Sequence, residues 1–401
     1  MSTNSYYSPI QQKTSKTDIL LWISRLFVGL LFIFSGLIKA NDPMGFGYKL
    51  QEYFHVFKLD FLNDYASYIA IVICGLEIIL GVLLLLGLAA QTVAWGLLIL
   101  IIFFTFLTFY SAFFEVVTSC GCFGDAIPLT PWQSFIKDLI LLALILVIFI
   151  KRDKIKPLIQ NSFTNNLLKL VTIVLSFGIG IYTFKYLPFI DFLPYKEGNN
   201  LPQLMEIPEG ATPDEYQLIY SIKNKNTGES KKVTDKEYMS QKIWEDESWE
   251  ILGEPESKLI KKGYQVAIPD LHISDAEGND MTQEIIKNPY NNFIVKIVDV
   301  SKLGPADFLA LDKINQTIKE LSKDNNIRAV LLTSSSAQDV DYLNDQLDLV
   351  LEIFFADAVP LKSMVRSNPG VILMQNGTVI KKWSKDTFPS MEELTNIYLS
   401  K

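Results

Sequence analysis

The stretch Val93-Ala94-Trp95-Gly96-Leu97-Leu98-Ile99-Leu100-Ile101-Ile102-Phe103-Phe104-Thr105-Phe106-Leu107-Thr108-Phe109-Tyr110-Ser111-Ala112-Phe113-Phe114 contains no charged side chain. Crossing the hydrocarbon core of a bilayer takes about 20 helical residues, so the stretch reads as a membrane-spanning helix. Four further apolar runs surround it, from Ile19 to Ile38, Ile69 to Ala90, Phe135 to Ile150 and Leu167 to Tyr186. With 49% hydrophobic and 20% charged residues, the 401-residue chain is too apolar for an ordinary soluble protein. After about Pro188 it turns polar and acidic, which divides it into a membrane part and a soluble part, each with its own core. The net charge of −8 lies mostly in the soluble part and leaves no clustered Lys and Arg surface for nucleic acid.

The charges inside the other runs are few, and their positions are informative. Arg25, Lys169 and Lys185 lie within two turns of a run's end, where long side chains reach the interface. Lys137 and Asp138 open the fourth run behind Trp132, an interface anchor, and water is within their reach. Glu77 lies deep in the second run, where a carboxylate is costly unless protonated or paired. The first run is longer than the apolar region of a leader peptide and has no small-x-small site after it, so it reads as a retained helix. Basic residues Lys13, Lys16 and Arg25 precede or begin the first span, and Lys151, Arg152, Lys154 and Lys156 follow the fourth. The other face carries Lys39, Lys49 and Lys58 mixed with Asp42, Glu52, Asp60 and Asp64. The positive-inside bias therefore predicts a cytoplasmic N-terminus in an inner (plasma) membrane, and five spans place everything after Tyr186 in a periplasm-like space.

This topology puts all three cysteines on one side. Cys120 and Cys122, in Cys120-Gly121-Cys122-Phe123-Gly124-Asp125, fall between the third and fourth spans on the outer face, where disulfides are permitted. Cys74 lies about five residues into the second span, ~8 Å below the same face at ~1.5 Å per residue. Three chemistries fit such thiols, namely redox exchange, a structural disulfide and soft-metal capture. Two thiols one residue apart close a strained small ring, and strain favours exchange. Metal capture is handicapped, because His55 and His272 are the only histidines. Three sulfurs alone would suit Cu(I) better than a four-coordinate zinc, and no metal is expected. His55 reads as an interfacial residue of the amphipathic stretch with Tyr53, Phe54 and Phe57, and His272 as a strand residue. Glu77, one helical turn after Cys74, is a candidate acceptor for a thiol proton, or else the structural partner of Arg25 or Lys137. Lys39 and Asp42 read as caps of the first span, and Asp125 as a cap of the fourth.

In the soluble part, residues 195–265 are charged and aromatic, with a hairpin turn at Asn224-Lys225-Asn226-Thr227-Gly228. Strands are predicted at Ile268–Ile273, Phe293–Val300, Ala329–Thr333, Val371–Met374 and Val379–Trp383, the last two a hairpin around Gln375-Asn376-Gly377-Thr378. Helices are predicted at Ala306–Lys323, Val340–Leu347 and Met391–Tyr398, and Asp280–Ile285 as a strand or the start of a helix. The result is an α/β sandwich order.

That order, with Asn368-Pro369-Gly370 entering the hairpin, resembles the thioredoxin fold. The preceding Pro269-Asp270 and Asp275–Gly278 resemble the start of TlpA or peroxiredoxin-like domains. The resemblance implies a cis proline at Pro369 facing reactive thiols. The loop after the first core strand, however, is Ser301-Lys302-Leu303-Gly304-Pro305-Ala306, and no cysteine follows Cys122, so this domain lacks the dithiol and a partner-binding role is expected.

The membrane half resembles the DoxX superfamily, and most closely its MauE branch of methylamine-utilisation membrane proteins linked to disulfide handling. Phe34-Ser35-Gly36-Leu37-Ile38-Lys39 with Asp42-Pro43, Cys74 with Glu77 and Gly81, and Cys120–Gly124 carry the likeness. It implies a four-helix bundle at 19–150, here preceded by a cytoplasmic tail at 1–18 and followed by a basic loop at 151–166 and a fifth span at 167–187. A linker or subdomain at 188–265 and a thioredoxin-like domain at 266–401 complete the expected organisation. The expected function is extracytoplasmic thiol–disulfide exchange or electron transfer through Cys120, Cys122 and Cys74, with a protein thiol partner or client outside the bilayer. The alternative is a membrane scaffold or assembly factor with a structural disulfide. A quinone is a candidate electron acceptor that no residue in the sequence specifies.

Overall fold

A computed structural model describes residues 18–117, 121, 123–323 and 327–399. The chain divides into two compact units, Met1–Phe192 and Leu193–Lys401.

The first unit is helical, with α1 (Ile19–Asn41), α2 (Pro43–Val56), α3 (Ala66–Leu86), α4 (Ala90–Phe114), α5 (Pro131–Ile150) and α6 (Ser162–Tyr186). All but α2 are long and apolar enough to cross a membrane. The second span ends earlier than its apolar run, because Gly87 adopts φ +71° and turns the chain. A Cβ there would lie 2.2 Å from the Lys156 carbonyl oxygen, so only glycine fits. Asp18 caps α1 by accepting from the Leu21 amide, and Lys151 from the end of α5 pairs with it at 2.8 Å.

α1 packs along α3 through small residues that bring the backbones together. A Cβ on Gly81 would stand 2.7 Å from the Gly29 carbonyl oxygen and 3.0 Å from the Ile33 amide, and one on Gly36 would stand 3.0 Å from the Cys74 carbonyl oxygen. Because backbone atoms cannot swing aside, Gly81→Ala is expected to cost about 1–3 kcal/mol. This would be read as a lower unfolding temperature in detergent, and an unchanged midpoint would show that the seam can open without penalty.

The amphipathic stretch around His55 forms the end of helix α2. Pro43 at its start and the Asp42 carboxylate, which accepts the Gly45 amide at 2.8 Å, initiate a 14-residue helix. Phe46, Leu50 and Tyr53 bury its inner face, and the Tyr53 hydroxyl bonds Ser111 Oγ of α4 at 2.8 Å. Asp42 therefore closes α1, its amide donating to the Lys39 carbonyl, and also starts α2, whereas α5 is capped by Thr130 in a capping box with Gln133 rather than by Asp125.

The second unit opens with α7 (Leu201–Met205) and a small antiparallel sheet of β1 (Glu215–Asn224), β2 (Ser230–Thr234), β3 (Trp249–Ile251) and β4 (Glu256–Lys261), with α8 (Asp235–Ser240) after β2. Ile222, Val233 and Ile243 form its core, and the turn at Asn224–Gly228 joins β1 to β2. A second sheet follows, built from β5 (Ile273–Ser274), β6 (Asn291–Ile297), β7 (Ile327–Thr333), β8 (Glu352–Ala356), β9 (Gly370–Gln375) and β10 (Thr378–Ser384). Its helices are α9 (Thr282–Ile286), α10 (Pro305–Leu321), α11 (Ala337–Leu347), α12 (Ala358–Met364) and α13 (Met391–Leu394). Strand order is β10-β9-β6-β7-β8-β5, with β6, β7 and β8 parallel and β9, β10 and β5 antiparallel to their neighbours. Phe293, Val295 and Ile297 face the core made with Leu311, Ile314 and Ile318 of α10, while α12 packs against β6 and β7. This arrangement is consistent with a thioredoxin-like fold. The expected strand at Ile268–Ile273 shrinks to β5, the Ile268 amide bonding the Leu204 carbonyl at 3.1 Å instead of a neighbouring strand, and the Asp275 carboxylate, which accepts the Glu277 and Asn279 amides, turns the chain after β5.

Candidate functional site

Cys74 sits on α3, fully buried, in a cluster with Ala40, Phe46, Ala70 and Ile78. Glu77 lies one turn further along α3 and is 2% exposed. Its partner is Lys39 at the end of α1, itself 3% exposed, and the two form a buried ion pair. The expectation that Arg25 or Lys137 would neutralise Glu77 is thus corrected. Arg25 instead donates to the Leu84 and Leu85 carbonyls, and Lys137 pairs with Asp138 at 2.6 Å. Lys39 is no mere helix cap. Its ammonium lies 5.0 Å from the Phe46 ring centroid and 4.7 Å from that of Phe104, so two aromatic faces share its charge with one carboxylate. The second oxygen of Glu77, Oε2, makes no hydrogen bond among the described residues.

A second polar pair faces the same interior. Asp138 is 1% exposed, far from the water-facing position its place near the run's start suggested, and accepts from Thr108 Oγ1 at 3.0 Å as well as from Lys137. Both ion pairs line a small cavity of about 30 Å³ whose remaining wall includes Phe32, Leu50, Ile101, Phe104 and Leu107.

Cys120 and Cys122 lie outside the described residues. Gly121 is described, and a Cβ on it would lie 3.3 Å from Lys49 Cγ and 3.8 Å from the Phe46 ring, so this point of the chain rests on α2. The next turn closes with the Gly124 amide on the Gly121 carbonyl at 3.1 Å. Phe123 then packs on Phe34 of α1 at 5.6 Å between centroids, with Lys137 Nζ 5.4 Å from its ring. Residues 34–39 of α1 thus touch both regions, through Phe34 to Phe123 and through Gly36 and Lys39 to the Cys74–Glu77 turn.

In the second unit the Asn368–Pro369 bond is cis. Asn368 Oδ1 accepts the Val298 amide at 2.8 Å, which ties the proline to the end of β6. Where the resemblance would place a dithiol, the chain has Asp299–Gly304 and then α10, with Pro305 at its first position and Asp307 accepting the Gly304 amide at 2.9 Å. Asp307 also pairs with Lys385. His55 is exposed, 3.1 Å from Asp60, and His272 is exposed ahead of β5. No group of three or more His, Cys, Asp or Glu suited to a metal occurs among the described residues.

One residue escaped the sequence reading altogether. Lys296 on β6 has no exposed surface, and its Nζ makes no hydrogen bond among the described residues. Burial, reinforced by Arg366, Lys382 and Lys362, pushes its ammonium down to about 7. A lone Lys inside Asn291–Ile297 was the available signal.

These features define a multi-pass membrane protein carrying a thioredoxin-like unit. Residues 17–151 match the family model described as methylamine utilisation protein MauE. Protein TlpB of Flavobacterium psychrophilum is 29% identical over 153 residues, which are 37% of this chain and 41% of that protein. The match therefore spans less than half of that relative. No solved structure matches the chain.

Proposed function

We propose that the protein acts in extracytoplasmic thiol–disulfide exchange or electron transfer, with Cys74, Cys120 and Cys122 as its redox thiols. Glu77 accepts a thiol proton, and the Leu193–Lys401 unit binds a protein partner. The observation that carries this reading is the convergence of the Cys74 turn and the Gly121–Gly124 turn on residues 34–39 of α1. The Lys and Arg bias supports a cytoplasmic N-terminus in an inner membrane and an extracytoplasmic second unit. In such a compartment a thiolate attacks a partner's disulfide, one S–S bond forms as another breaks, and the leaving sulfur takes up the proton. The thioredoxin-like unit has no cysteine, so it supplies docking around cis Pro369 and not electrons.

Cys120→Ser and Cys122→Ser variants, alkylated in intact membranes and run without reductant, test this. One of them should accumulate a mixed disulfide with another protein that reductant releases. If neither traps a partner and the native thiols stay inert under oxidants, the exchange reading fails. A second reading, a scaffold with a structural disulfide, draws on the cysteine-free second unit. It requires that replacing all three cysteines leave function intact.

A further inference from the structure

We propose that the small cavity among α1, α2, α4 and α5 holds internal water, and that Asp138 takes the Glu77 proton through this water and releases it beside Lys137. The proposal deepens the redox reading above and rests on its assignment of Glu77 as acceptor of the Cys74 proton.

The size of the cavity selects the occupant. A buried water needs about 10–15 Å³ of such space. A cavity of about 30 Å³ therefore admits water and excludes a larger organic ligand. Charge points the same way. Two ammoniums, Lys39 and Lys137, stand on the lining with two carboxylates, Glu77 and Asp138. The set is balanced, so an ion that gave up its hydration to enter would meet no net opposite charge, whereas a neutral dipole loses little. Glu77 Oε2 is buried and makes no hydrogen bond among the described residues, and a water O–H donating to it removes that cost. The Lys39 ammonium has three N–H donors, one of them on Glu77 Oε1, and can donate to the oxygen of the same water.

The two carboxylates differ in their access to solvent, and this gives the route a direction. The Lys39–Glu77 pair is closed, with both side chains 2% exposed, whereas Lys137, the partner of Asp138, is 21% exposed. Asp138 follows Pro131, the first residue of α5, by seven positions, or ~10 Å at ~1.5 Å per residue. The route thus leads toward the end of α5 that follows the Gly121–Gly124 turn. Thr108 Oγ1 of α4, donating to Asp138 at 3.0 Å, positions the receiving carboxylate. Paired ionisable groups inside a membrane unit are the usual elements of a proton relay.

Each transfer balances. The Cys74 S–H bond breaks as a Glu77 O–H bond forms. That proton passes to the water while the water gives one of its own to Asp138, and Asp138 releases it to solvent at Lys137. Cys74 is left as the thiolate that exchange needs, and both carboxylates regain their charge with no co-reactant consumed.

Hydrogen–deuterium exchange of the Cys74 thiol tests the route without a partner or an oxidant. In reduced, detergent-solubilised full-length protein carrying Cys120→Ser and Cys122→Ser, Cys74 is the only thiol. Its S–H stretch is followed by infrared spectroscopy after transfer to D2O. Exchange is expected to be at least tenfold faster than that of the slow backbone amides in the same spectrum, because the relay needs no unfolding. Asp138→Asn is made together with Lys137→Gln, so that no buried charge is left unpaired, and Leu141→Phe independently fills the cavity. Each should slow thiol exchange at least tenfold and leave amide exchange as in the parent protein, a separation that a merely loosened or tightened fold would not give. Thiol exchange no faster than the amides, or native-rate exchange in either folded variant, would overturn the route. Fast thiol exchange with no mixed disulfide trapped in membranes would keep the route and discard the redox reading. A trapped partner with thiol exchange at the amide rate would discard the route alone.

Discussion

Replacing Lys39 by Met is expected to destabilise the membrane unit by about 3–5 kcal/mol, the cost of leaving one member of a buried ion pair unpaired. Glu77 would keep its carboxylate at 2% exposure with no cation on the neighbouring helix, since Arg25 is committed to backbone carbonyls and Lys137 to Asp138. The reciprocal change, Glu77→Leu, should cost less. Lys39 would retain the faces of Phe46 and Phe104, and each such contact is worth about 0.5–2 kcal/mol. The double variant Lys39→Met with Glu77→Leu should recover most of the loss, because apolar replacements of a buried pair are often neutral or better. Unfolding midpoints of the four proteins in one detergent give the cycle. If both single variants match the native protein, the pair is not an energetic unit. The folded double variant then separates structure from chemistry. It should fail to trap a partner if Glu77 handles the thiol proton, and trap normally if the pair is only structural.

Lys296→Met is the second large effect, with the opposite sign. The folded protein holds this side chain without exposure beside other cations, so it tolerates the neutral amine better than the ammonium. Folding lowers the lysine's titration to about 7, whereas an unfolded lysine titrates at about 10.4. Between those values the unfolded chain binds a proton that the folded chain has released, so stability rises with pH through the window. Below about pH 7 the folded chain carries the charge, and the penalty is complete. Lys296→Met should therefore raise stability most at pH 6, by on the order of 1.4 kcal/mol for each pH unit separating the folded and unfolded titrations. The gain should shrink as the pH climbs toward 10. Unfolding midpoints of variant and native protein, compared from pH 6 to pH 9.5, measure it. A difference independent of pH, or a variant weaker than the native protein at pH 6, would show that the amine is solvated or paired.

The two halves were unequally legible in the sequence. The charge-free run at Val93–Phe114 and its four companions mark spans because lipid leaves the backbone no alternative to a helix. The hairpin around Gln375–Thr378 is likewise local, set by Asn376 and Gly377 at positive φ. α2 was hidden because its inward residues Phe46, Leu50 and Tyr53 are interspersed with the poor helix formers Gly45 and Gly47 and with polar residues such as Lys49 and His55. β8 and α12 were missed between clearer elements, since a short strand followed by seven helical residues leaves little periodicity to read.

At the site, Cys74 and Glu77 share a face by spacing alone. The choice of Lys39 over Arg25 or Lys137 as partner depends on how α1 slides along α3, and that register is set by glycines whose meaning appears only when two helices touch. Lys296 was obscure for a related reason. A lysine in a strand ordinarily marks the face that meets water, and only the packing of α12 on β6 closes that face here.

The glycine seam between α1 and α3 also assigns the moving part of any relay. With Gly29, Gly36 and Gly81 holding two backbones at contact distance, neither helix can rotate or ratchet without forcing main-chain atoms together. Cys74 is therefore an anvil, fixed in depth and azimuth relative to Lys39. Under the proposed exchange, a sulfur that reacts with Cys74 would have to approach it, since Cys74 is held in place.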